Sequence, residues 1–129
     1  MMREASRVLS GKRVLIVEDE MLVALLIEDI LVELGCKPVG PFGSVEEAIS
    51  AVGSEPIDLA VLDVNLAGEM VYPVAERLEE RHIPFLFVSG YGDEAIPDGH
   101  LDWKVCTKPF HGRDLARMMA ALFLRPTVQ

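Results

Sequence analysis

Apolar positions along the chain fall into two kinds of cluster that alternate. "RVLIV" (13–17), "IDLAVLDVNL" (57–66), "IPFLFVSG" (83–90) and "WKVCTKPF" (103–110) are short runs of the length and composition of strands buried on both faces. A weaker run, "CKPVG" (36–40), stands where a second strand belongs. Longer stretches with helical spacing lie between them. "EDEMLVALLIEDILVELG" has acidic residues at its head, suiting the positive end of a helix dipole, and Gly35 as a stop signal. "SVEEAISAV" opens on a capping box, Ser44 with Glu47 three residues on. "GEMVYPVAERLEERH" predicts a helix from about Met70 with Pro73 in its first turn, and "GRDLARMMAALFLR" an amphipathic helix over 112–125. From Tyr91 to Asp102, Pro97 and Gly99 interrupt any helical period, so a helix there is expected to be short or absent.

Strands alternating with helices through short connections imply right-handed crossovers. The fold class is therefore α/β: a three-layer, doubly wound, five-stranded parallel sheet. The 129 residues suit one domain, expected over 12–129, behind a flexible leader at 1–11 that ends in Ser10-Gly11. Sheets of this kind place ligands beyond the carboxyl ends of their strands. Those ends are where chemistry should sit.

Charge narrows the partners. Twelve Lys and Arg against 21 Asp and Glu give −9, which opposes both counterion release on nucleic acid and attraction to anionic membranes. No nucleic-acid or membrane partner is expected. The longest apolar run, Met21 to Ile27, is far short of a span, and "MMREASRVLSGKR" has no apolar signal core, so a cytoplasmic location is expected. Cys36 and Cys106 lack metal or redox spacing and read as small buried hydrophobes.

The predicted strands end in Glu18-Asp19-Glu20, Asp63, Ser89 and Thr107-Lys108-Pro109. Each alone has an ordinary explanation as a cap, a turn or a solvated charge. Together they bring carboxylates, a hydroxyl and an ammonium to one edge. Converging carboxylates raise one another's pKa unless a cation sits between them, and Mg²⁺, a hard ion that takes oxygen ligands and keeps several waters, fits. A metal there would neutralise an approaching phosphoryl group and leave Asp63 as the nucleophile, with Lys108 and Ser89 holding phosphoryl oxygens.

These residues and their order resemble the receiver domain of bacterial two-component response regulators. The resemblance rests on "VLIVEDE" (14–20), "VLDVNL" (61–66), "VSG" (88–90) and "TKPF" (107–110), and runs from Lys12 to about Leu124. It implies a flavodoxin-like strand order 2-1-3-4-5. It also implies Asp63 as phosphoacceptor, Asp19 and Asp63 as direct Mg²⁺ ligands, Glu18 acting on the metal through water, and Asn65 giving its backbone carbonyl. Ser89 would contact the phosphoryl group, Lys108 would pair with it, and the Lys108–Pro109 peptide is often cis in such domains. The donor would be a phosphohistidine on a sensor histidine kinase or phosphotransfer protein. Most receivers carry a switch aromatic three residues before the Lys; here that place is Val105, with Trp103 two residues earlier. This departure and "FVSGYGD" resemble the subfamily with a Phe-Ala-Thr-Gly-Tyr-like motif, found in alphaproteobacteria. Tyr91 is a candidate to replace the missing aromatic.

The chain is thus expected to be a single-domain switch, relay or phosphate sink acting on an unknown downstream protein, not a conventional enzyme. Two rivals stay open. A Mg²⁺-dependent aspartyl-phosphate phosphatase would carry a second acid two residues after its nucleophile, where Asn65 stands. A flavodoxin-like binding module would need a Gly-rich loop after the first strand, which is lacking. The first long helix has more apolar residues than one buried stripe requires: either it is sandwiched in the core, the simpler reading, or Met21, Leu22 and Leu25 form an exposed patch for kinase helices. The last helix could support a weak homodimer, though a monomer meets every requirement of the sequence.

Overall fold

The computed structural model describes residues 3–100 and 102–124. In chain order the elements are α1 (Arg3–Leu9), β1 (Arg13–Val17), α2 (Met21–Glu33), β2 (Lys37–Phe42), α3 (Val45–Ser54), β3 (Leu59–Asp63), β4 (Asn65–Leu66), β5 (Glu69–Met70), α4 (Tyr72–Glu80), β6 (Phe85–Ser89), a 3₁₀ turn (Gly92–Ala95), β7 (Val105–Thr107) and α5 (Gly112–Leu124). Five parallel strands form the main sheet in the order β2-β1-β3-β6-β7. This is the predicted 2-1-3-4-5 order once the small β4–β5 hairpin is set aside.

Every residue of β3 and β6 is buried, because helices cover both faces of the sheet. Leu15, Val17, Ala60, Leu62, Phe85 and Phe87 face the side of α3 and α4. Their strand neighbours Val14, Ile16, Leu59, Val61, Leu86 and Val88 face α1, α2 and α5. The period-2 alternation of the strands thus builds two cores, and the registers Val17↔Leu62, Asp63↔Val88 and Ser89↔Thr107 bring the strand ends level. Ser44 caps α3 as its spacing predicts, accepting the Glu47 N–H at 3.2 Å.

The expected flexible leader is instead a docked helix. Ala5, Val8 and Leu9 recur at helical spacing within a mostly polar stretch, and Leu9 is fully buried against the α2/α5 side of the core. Ser6 Oγ donates to the Leu34 carbonyl at 3.1 Å, and Gly11 N–H donates to the Gly35 carbonyl at 2.8 Å. Gly35 ends α2 with φ +84°, and a Cβ there would stand 2.8 Å from Ser10 Oγ, so both the turn and the approach of the leader require glycine. Packing therefore carries the domain back past residue 12. At the other end, residues 125–129 of the expected 12–129 span lie outside the described residues.

One further boundary differs from expectation. Met70 belongs to β5, and α4 begins at Tyr72, because Ala67 and Gly68 (φ 54° and 95°) form a left-handed two-residue turn that folds the chain back as a hairpin first. Among the described residues, the region after β6 holds one 3₁₀ turn, in line with the short or absent helix expected there.

The apolar surplus of α2 is not in the core. Ala24, Ile27, Ile30 and Leu31 are buried, whereas Met21 and Leu22 are 75% and 82% exposed and Leu25, Leu26 and Val32 also face outward. The sandwiched-helix reading fails because no element covers this outer face among the described residues. Cys36 and Cys106 are free and buried, and burial pushes the Cys36 thiol up to about 11.

Candidate functional site

β1 delivers Glu18, the loop after it Asp19, and the end of β3 Asp63, so their carboxylates converge: one oxygen from each lies within 4.8 Å of the others. Glu18 is 3% exposed; its Oε2 accepts the Glu20 N–H at 3.1 Å, while Oε1 is buried without a hydrogen-bond partner. From the end of β7, Lys108 places Nζ 3.5 Å from Asp63 Oδ1 and 3.8 Å from both Glu18 and Glu20. Its N–H donates to the Ser89 carbonyl at 2.8 Å, which ties the lysine to the end of β6. The Lys108–Pro109 peptide is cis.

Burial governs the electrostatics here. Desolvation raises Glu18 to about 7, with the Asp63 charge adding to the rise and the Glu20 N–H and Lys108 opposing it. Asp63 is raised by burial too, against the pull of Lys108. One ammonium does not balance this group of carboxylates, and a hard cation would stabilise the charged forms of all three. The donor chemistry and the orphaned Glu18 oxygen fit Mg²⁺.

A cleft of about 520 Å³ opens over Asp63, walled by Asp19, Asn65, Ser89 and Lys108. Asn65 reaches it from β4, its side-chain oxygen engaged by the Gly68 N–H at 2.7 Å. Ser89 is buried at the end of β6, its Oγ accepting the Tyr91 N–H at 3.0 Å. The structure therefore brings the sequence-derived residues Glu18, Asp19, Asp63, Asn65, Ser89 and Lys108 to one place. Met21, Leu22 and Leu25 lie just beyond, on the exposed face of α2 that begins directly after Glu20.

Neither of the two switch positions puts an aromatic ring in the interior. Tyr91 is 74% exposed at the cleft, and Val105 is partly buried with no ring to offer. The aromatic residues that do fill the space behind Ser89 are Tyr72, Phe85, Phe87 and Trp103. Tyr72, which lines the cleft from the start of α4, was not singled out from the sequence. Its position before Pro73 reads only as a helix start, and nothing in one sequence points that ring at the strand ends. His100 stacks on Trp103 at 3.7 Å between ring centroids.

The family profile of the response regulator receiver domain matches residues 14–120. Among solved structures, the chain is similar to SdrG from Sphingomonas melonis Fr1: 43% identity, TM-score 0.78, covering 90% of this chain and 98% of that one. It is also similar to the REC domain of the PhyR response regulator of Erythrobacter litoralis, at 27% identity and TM-score 0.81, covering 93% and 98% of the two chains. The transcriptional regulatory protein TcrA of Mycobacterium tuberculosis is 34% identical over 122 residues, 90% of this chain and 47% of TcrA. The chain spans about half the length of the curated relatives it matches.

Proposed function

Because the chain belongs to the response regulator receiver family, we propose that it accepts a phosphoryl group on Asp63 from a phosphohistidine of a sensor kinase or phosphotransfer protein. The observation that carries this reading is the convergence of the Glu18, Asp19 and Asp63 carboxylates with Lys108 Nζ, 3.5 Å from Asp63. The histidine N–P bond breaks as an Asp63 O–P bond forms, and the imidazole leaves. Lys108 supplies fixed positive charge to the phosphoryl oxygens, and the Ser89 hydroxyl can donate to one of them while its lone pairs still accept the Tyr91 N–H. Glu18, Asp19, Asp63 and the Asn65 main chain would hold Mg²⁺, which when bound supplies charge neutralisation.

In this reading the domain acts as a switch, relay or phosphate sink toward a downstream protein. The exposed Met21, Leu22 and Leu25 beside Glu20 offer an apolar surface to the helices of the donor. A phosphatase with a second acid after the nucleophile is disfavoured, since Asn65 holds that position and its side chain is tied into the hairpin turn. Incubation with a phosphorylated kinase and Mg²⁺ should label the protein, and Asp63→Asn should abolish labelling. Leu22→Asp should slow labelling while leaving the melting temperature unchanged. Label that survives Asp63→Asn would remove Asp63 as the acceptor.

A further inference from the structure

Val105 cannot report on the cleft, and Tyr91 contributes a backbone N–H while its ring stands in solvent. Tyr72 touches both sides of the problem. Its ring lines the same cleft as Asp63 and Ser89, and its hydroxyl donates to the carbonyl of Ala95, the last residue of the 3₁₀ turn. Burial raises the phenol pKa, so the hydroxyl keeps its proton throughout neutral pH. Behind the hydroxyl, the ring meets Phe87 of β6 edge-on at 6.0 Å and stacks on Trp103 at 6.3 Å. Trp103 is in turn held by an Nε1–H bond to Glu79 of α4 at 2.9 Å, so α4 grips the segment before β7 as well.

We propose that Tyr72 is the positioning residue that couples the phosphoacceptor cleft to the 89–103 segment, an inference that rests on the phosphoacceptor reading above. Ser89 moving toward a phosphoryl oxygen draws the Tyr91 N–H with it, and the turn that follows ends on the Ala95 carbonyl held by Tyr72. Displacement of that turn either releases the phenol or drags it, and in both cases the ring shifts against Trp103. The aromatic that responds thus comes from the start of α4 and not from β7.

Trp103 is the protein's single tryptophan, which makes it a built-in probe. Beryllofluoride added at constant Mg²⁺ should change its emission in the unaltered protein. Tyr72→Phe keeps the ring packing and removes the tether; it should still bind beryllofluoride, read separately by ¹⁹F NMR, but lose the emission change. Tyr91→Ala should retain it. An unchanged Trp103 response in Tyr72→Phe, or bound beryllofluoride with no response in the unaltered protein, overturns the inference. So does Tyr72→Phe failing to bind the mimic, which would place the phenol in binding itself. Absence of bound fluoride in the unaltered protein is a different failure, since it removes the phosphoacceptor reading and the coupling with it.

Discussion

The two walls of the cleft end similar strands but continue differently. Glu18 and Asp63 lie at the ends of β1 and β3, interior strands paired on both sides, and both carboxylates are buried. β6 is an interior strand too and buries Ser89 just as deeply, yet the chain then runs through Gly90 and the exposed Tyr91 into a single 3₁₀ turn. One wall is anchored by sheet and salt bridge; in the other, the chain beyond Ser89 leaves the sheet and is tethered by the Ser89–Tyr91 and Tyr72–Ala95 hydrogen bonds. The acceptor and its counter-charge need fixed positions for electrostatic stabilisation, whereas a group that reports occupancy must be able to move. The same sheet edge supplies both.

Three perturbations separate the walls. The largest effect should come from Lys108→Ala, which removes the ammonium that pairs with the carboxylates of the anchored wall and should slow phosphoryl uptake by about 100-fold, the scale for losing one pre-placed charge-stabilising donor. Uptake from a phosphorylated kinase measures it, and a rate within a few-fold of the unaltered protein would show that the anchored wall does not depend on this cation. A smaller effect concerns stability against pH. Glu18 has its folded pKa raised from 4.5 to about 7, so between these values the folded state binds more protons than the unfolded one. Stability is then greatest below the unfolded pKa and falls as pH rises through the folded one. Asp63, also raised, acts in the same direction. Mg²⁺-free protein should therefore melt at a lower temperature at alkaline than at mildly acidic pH. Glu18→Gln should flatten that slope, and Mg²⁺ should restore stability on the alkaline side; a flat slope in the unaltered protein contradicts the burial argument. The smallest effect belongs to the other wall. Gly92 has φ +60°, and alanine in that region costs about 1 kcal/mol. Gly92→Ala should lower the melting temperature by a few degrees with Mg²⁺ affinity unchanged, and altered affinity would mean that the walls are not separable.

The sheet was legible because β1, β3 and β6 are continuous apolar runs that end in polar residues, a pattern set by burial on both faces. The members of the site were legible for the same reason, since strand ends are fixed by the strands behind them. Features that depend on distant packing were not. The leader's Ala5-Val8-Leu9 stripe is too short to outweigh its polar neighbours until α5 and the end of α2 give Leu9 a place to go. The hairpin before α4 rests on Ala67 adopting positive φ, which alanine seldom does and its sequence context does not announce. Tyr72 acquires its meaning from Ala95, 23 residues on, a contact no periodicity reveals.

Helix α1 also bears on where such a domain can be cut. The receiver profile begins at Val14, downstream of the whole helix. A truncation drawn at that boundary would strip Leu9 from its pocket, uncover Leu34 and Cys36, and leave the Leu34 carbonyl without its Ser6 donor. Chimeras that graft this domain onto another protein should therefore take their joint upstream of Arg3, treating the helix as a keystone and not as spare linker.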